Sequence, residues 1–371
     1  MDPNASEGAP EPVQRRSRLL GLKLTALVGD HLGLDDGART GLVAEPFPSG
    51  AALVVDEAAW VLVDGDAHRS LGGALAWAIR RGATSLSLIA ESDTGLLARR
   101  AAQFRYPVAV WFAQGRNLLP VVGEPLPAPV TPDPEHLALV EVIVEAGATP
   151  AIEHGVVFGE VRGLEVCRVV DQPTVGLFAE LGDVGPMDGG SLGTVPIDAG
   201  AAAQPVERPS GVQLEVGVGA NDREAFALLH GDIPTVEALA TVVESVAAVR
   251  SPDAPQHPLN RLAQERALRW RLQQDPALIR ATDLEPAEPP VPRRNLTEVV
   301  PCVARALADD GSEITVVCSV GIDVDLVPFV ADVQAANAKP VTVAVPRRDL
   351  VGITTDLASL LLEPVRVVAV D

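Results

Sequence analysis

The chain has 371 residues, and its 50 acidic against 29 basic residues give a net charge of −21. Such an acidic surface repels polyanions, which excludes broad electrostatic binding to nucleic acid or an anionic membrane but not a local basic patch. Hydrophobic residues make up 47% and aromatics 3%, so aliphatic side chains must fill the interior, and the length calls for two or three cores.

Lysine occurs only at Lys23 and Lys339. The bias toward arginine fits a GC-rich bacterial genome. Cys167, Cys302 and Cys318 show no metal spacing and lie in apolar runs, as expected of buried thiols in a reducing cytoplasm. No apolar run is long enough to span a membrane, and the N-terminus lacks a signal-peptide core. The expectation is a cytoplasmic protein without a membrane partner.

In chain order, residues 1–21 are polar and rich in proline and glycine, and are expected to form a disordered tail. Residues 22–127 alternate strands and helices: "AALVVDEAAWVLVD" reads as two strands, "SLGGALAWAIRRGA" as a helix ended by Gly82, and "SLSLIAE" as a strand. "TGLLARRAAQF" and "PVAVWFA" follow as helix and strand. That grammar predicts βαβ units and a mainly parallel sheet. It returns over 291–371, with "TEVVPCVARALADDG" read as a helix before the strand "EITVVCSVG". The fold class expected is therefore α/β, two Rossmann-like segments flanking a central α+β module over 128–290. Proline-rich stretches at 121–135 and 284–295 read as linkers.

Within the central module, "HLALVEVIVEAGATPAIEHG" is predicted helical and "VVFGEVRGLEVCRVV" forms two strands about Arg162-Gly163. A long loop over 171–210 carries Asp183, Asp188 and Asp198, and "GVQLEVGVGANDREAF" supplies a further strand and a helix start. This order resembles the core of the PD-(D/E)XK nuclease superfamily. The resemblance implies three converging carboxylates, Glu153 at the end of the helix, Glu165 and Glu215 on strands, as catalytic groups holding a magnesium ion. Such an ion polarises a phosphoryl oxygen and activates water. The family's motif lysine falls at Gly217. Arg168 is the nearest substitute for its charge, although its strand parity opposes that of Glu165. The same letters have a structural reading, in which Glu165 and Glu215 lie on an outer face and Asn221 with Glu224 forms a capping box.

Two further groups stand out. "VVCSVGIDVD" places Ser319, Gly321 and Asp323 after a strand, and "IAESDTG" places Asp93 equivalently. Open α/β sheets bind ligands outside the carboxyl ends of their strands, so Asp93, Gly321 and Asp323 are candidate ligand or cofactor contacts, with helix capping as the alternative. Residues 257–281 hold Arg261, Arg266, Arg269 and Arg271, a candidate basic patch for nucleic acid or an acidic partner. Three function classes follow: a divergent or inactive nuclease-like protein, a small-ligand sensor, or a non-catalytic scaffold.

Overall fold

The computed structural model describes residues 11–48, 50–171, 211–230, 235–251, 257–292 and 299–371. The fold is mixed α/β with three open sheets, and the chain divides into two compact units. The larger comprises residues 1–130, 162–164 and 249–371, and the smaller residues 131–161 and 165–248. The two outer segments, expected as separate domains over 22–127 and 291–371, thus belong to one unit.

The first segment opens on α1 (Glu11–His31) and α2 (Asp36–Thr40), followed by β1 (Glu45–Phe47), β2 (Gly50–Val55), β3 (Ala58–Val63), α3 (Leu71–Arg80), β4 (Ser85–Ala90), α4 (Thr94–Ala101), β5 (Val108–Gln114) and β6 (Asn117–Pro120). The strands lie in sequence order; β3-β4-β5 are parallel and the other neighbours antiparallel. Successive strand residues face opposite ways. Ala52, Val61, Val63, Leu86 and Leu88 therefore meet α3 and α4, while Ala51, Leu53, Trp60, Leu62 and Ile89 meet α1.

The tail expected over 1–21 is corrected by α1, which is helical from Glu11; residues 1–10 lie outside the described residues. Leu20, Leu24, Leu27 and Val28 make a helical stripe against the sheet, and the ring of His31 meets Trp60 and Trp111 edge-on at 5.5 and 4.5 Å. Arg16 and Lys23 bind Asp64 and Glu91, so the polar letters that suggested disorder form the solvent side of a docked helix.

The smaller unit holds α5 (Pro134–Leu137), α6 (Val140–Glu145), β7 (Thr149–Glu153), β8 (Val156–Val161), β9 (Leu164–Asp171), β10 (Val212–Val216), α7 (Ala220–His230) and α8 (Thr235–Val249). Its sheet has the order β10-β9-β8-β7. The long helix expected before the strands ends at Glu145, because Gly147, at a φ of 87°, turns the chain into β7. The acidic loop falls on residues 172–210, outside the described residues.

The last segment contains α9 (Gln264–Gln274), β11 (Ala281–Ala287), β12 (Cys302–Ala308), β13 (Glu313–Cys318), α10 (Leu326–Ala336), β14 (Val341–Pro346), α11 (Gly352–Ala358) and β15 (Val365–Val370). It repeats the plan of the first: an outer helix, three antiparallel strands, then two parallel crossovers through helices. The helix expected over "TEVVPCVARALADDG" is β12, whose Cys302, Ala304 and Ala306 face α9 while Val303 faces the other core. Part of the linker expected from residue 284 is the edge strand β11. Among the described residues parallel pairing is confined to β3-β4-β5 and β13-β14-β15, less than the mainly parallel sheet expected.

One core joins the segments. Leu71, Leu75 and Leu97 pack in the same cluster as Phe329, Val330, Val333 and Leu357, so α3 and α4 meet α10 and α11. Within it Asp332, 0% exposed, accepts from Arg99 at 2.9 Å and from Arg100 at 2.6 Å. No described helix is long and apolar enough to cross a membrane.

Candidate functional site

The three carboxylates of the nuclease-like reading do not come together. Glu153 ends the edge strand β7, not a helix, and Glu215 lies on the opposite edge strand β10. Three strand spacings of about 4.8 Å separate those edges, too far to share one cation. Glu165 and Glu215 do converge, but on a guanidinium: Arg223, from the first turns of α7, reaches Glu165 at 3.2 Å and Glu215 at 3.1 Å. Arg168 adds two bonds to Glu165, at 2.8 and 3.0 Å, despite their opposed parity. Its long side chain closes the distance that strand alternation opens.

Among the described residues no group of three or more histidine, cysteine, aspartate or glutamate side chains could hold a metal. Glu165 and Glu215 are thus ion-paired through Arg223, whose guanidinium does not itself give up a proton. Glu165 is 2% exposed rather than on an outer face. The expected capping box is also replaced: Asp222, not Asn221, reaches back to the Val218 N–H at 2.6 Å.

The arginine patch is only in part a surface, since Arg261 and Arg271 are exposed but the other two are not. Arg266 and Arg269 lie on the buried side of α9, at 3% and 0% exposure. Arg261 precedes that helix, and Arg271 donates to the Asp371 carbonyl. Cys302 and Cys318 are direct cross-strand neighbours beneath α9, both buried and without a disulfide. Burial also pushes the Cys167 thiol up to about 12, in line with inert core thiols.

The strand-end residues give a different result. Asp93, after β4, and Asp323, after β13, line one cavity of about 160 Å³. His68, Arg69, Arg100 and Asp325 join them, with Leu96, Pro301 and Phe329 among its apolar walls. Neither aspartate that precedes a helix is spent on capping it. Asp93, in the left-handed region at a φ of 54°, and Asp325 make no side-chain cap bond to α4 or α10. Asp93 instead lies 3.8 Å from His68 Nδ1. Asp323 binds Arg69 at 2.8 Å and the Asp325 N–H at 2.9 Å.

Gly321 stands apart from this cavity, and its N–H donates to Asp349 at 2.8 Å. Ser319 is buried. His68, Arg69, Arg100 and Asp325 were missed in the sequence. For His68, Arg69 and Asp325 the signal was the position after β3 and β13, which the repeated plan makes equivalent; Arg100, inside α4, had none.

Asp325 is 9% exposed and accepts from the Gly72 N–H at 2.9 Å. Burial, reinforced by Asp323, raises its pKa to about 6 against the pull of that bond and of Arg69 and Arg100. A carboxyl raised from an unfolded value near 3.8 binds its proton more tightly when folded. The stabilisation is therefore full below about pH 4 and is lost as pH rises through 6. Asp325→Asn keeps an acceptor for Gly72 and removes the buried charge, so it should raise stability at pH 7 by roughly 2–3 kcal/mol. The gain should shrink between pH 6 and 4. Urea unfolding of both proteins across that range checks it; a pH-independent difference would discard the assignment.

No protein-family model matches the chain, and neither does any curated protein or solved structure.

Proposed function

We propose that the protein is a small-ligand-binding sensor, with its site in the cavity between the carboxyl ends of β4 and β13. The observation that carries this reading is the meeting of Asp93 and Asp323, from two separate segments, on one cavity. Each segment is read as Rossmann-like in a limited sense: parallel strands cross through helices and present their carboxyl ends to a ligand. Apolar walls with a few convergent polar groups are the usual composition of such sites. The nuclease-like reading of the central unit, with magnesium between its carboxylates, has no comparable support, since Arg223 lies where the cation would.

Saturation-transfer NMR with a panel of small metabolites tests the proposal. Members of the panel should bind the wild type and lose their signal in Leu96→Trp, which fills the cavity while leaving the fold intact by circular dichroism. Equal signals from both proteins, or none from either, would remove the site.

A further inference from the structure

We infer that the ligand of this cavity is a small zwitterion of the amino-acid type with a short aliphatic side chain. The inference rests on the small-ligand reading and adds a chemical class to it.

Two side chains of opposite charge, each nine-tenths or more buried, line the cavity. Arg100 is 4% exposed; its Nε donates to Asp332, and its Nη1 donates to the His68 carbonyl at 2.8 Å. Its Nη2 has no acceptor among the described residues. Asp325 accepts from Gly72 through one oxygen, and the other has no donor among the described residues. Neither atom is fully shielded from water, and both side chains line the cavity, so whatever occupies it must supply their hydrogen bonds. Here the two vacancies are a charged donor and a charged acceptor, which an α-carboxylate and an α-ammonium fill together.

The other charges sharpen the choice. Arg69 is already held by Asp323 and by the Val299 carbonyl at 2.9 Å, so it offers little to a second anion. Asp93 and Asp323 disfavour phosphate, and Asp93 instead adds a second attraction for an ammonium group. About 160 Å³ is well below the roughly 300–1,000 Å³ of sites for drug-sized ligands, which leaves room for one amino acid but not a nucleotide. Leu96, Pro301 and Phe329 present an apolar wall to its side chain.

Isothermal titration of the full chain at pH 7.5 tests the class. The probes are L-alanine, L-valine and L-leucine, with 3-methylbutan-1-amine and 4-methylpentanoate as leucine analogues lacking the carboxylate and the amine. At least one amino acid should bind, and for leucine each analogue should lose tenfold or more. Asp325→Asn, which preserves side-chain shape, should weaken the amino acid at least tenfold without altering the fold by circular dichroism. Binding of either analogue as tight as leucine, unchanged affinity in Asp325→Asn, or no binding by any amino acid would each overturn the inference. Where the metabolite panel still gives signals that Leu96→Trp abolishes, only the class fails; where it gives none, the small-ligand reading fails with it.

Discussion

Asp332→Ala is expected to cost about 3–5 kcal/mol, the scale set by removing one partner of a buried ion pair. The carboxylate lies in α10 and is fully buried; Arg99 and Arg100 reach it from α4 with nearly all their own surface covered. Without it, two guanidinium groups remain in the core. Arg99 keeps the half-exposed Glu124 at 3.3 Å and the Pro125 carbonyl at 3.1 Å, and Arg100 keeps only the His68 carbonyl. Asp332→Asn retains the shape but not the charge and should fall between alanine and wild type. Urea unfolding reads both; a loss below about 1 kcal/mol for alanine would mean that the segments do not depend on this triad.

Gly72→Ala should be as damaging, for a steric reason. A methyl group on Gly72 would lie 2.1 Å from the Val324 carbonyl oxygen and 2.9 Å from the Asp325 nitrogen, both backbone atoms. Neither can turn aside as a side chain would, so α3 and the loop before α10 must separate. A loss of about 3 kcal/mol or more follows, at the upper end of overpacking effects. The neighbour provides the control. Gly73→Ala would meet nothing closer than Phe47 Cζ at 3.5 Å, and alanine suits a helix better than glycine by about 1 kcal/mol. Similar losses at both positions would show that helix propensity, not the close approach, sets the effect.

Much of the larger unit was legible because its strands are long, apolar and separated by turn residues. "SLSLIAE" and "EITVVCSVG" are strands in the structure, as read. Period failed where one segment supports two geometries. The alternation of "CVARALA" was masked by alanines, which favour helix, and pairing to β11 and β13 decides for a strand. The first helix was hidden by its own polar face. At the candidate sites, residue type was readable but partnership was not. Glu165 and Glu215 were singled out as metal ligands, yet Arg223 stands in a different element and its reach depends on how α7 leaves β10. Asp93 and Asp323 were placed correctly at strand ends; that they share one cavity depends on the docking of two segments, which no local pattern records.

The repeated plan of the larger unit has a consequence for synthesis. Arg99 and Asp332 are 233 residues apart, and the smaller unit is translated between them. At about 5–20 residues per second, the first segment waits some tens of seconds for its other half. During that interval the inner faces of α3 and α4, with two arginines and no Asp332, have nothing of the later segment to cover them. Their positive charge opposes pairing of that face with a second copy, because two faces carrying guanidinium groups repel where two of leucine and alanine alone would not. Arg99 and Arg100 thus keep the waiting half apart before α10 arrives and lock the pair once Asp332 joins them, and the cavity lined by Asp93 and Asp323 cannot form until the later segment docks.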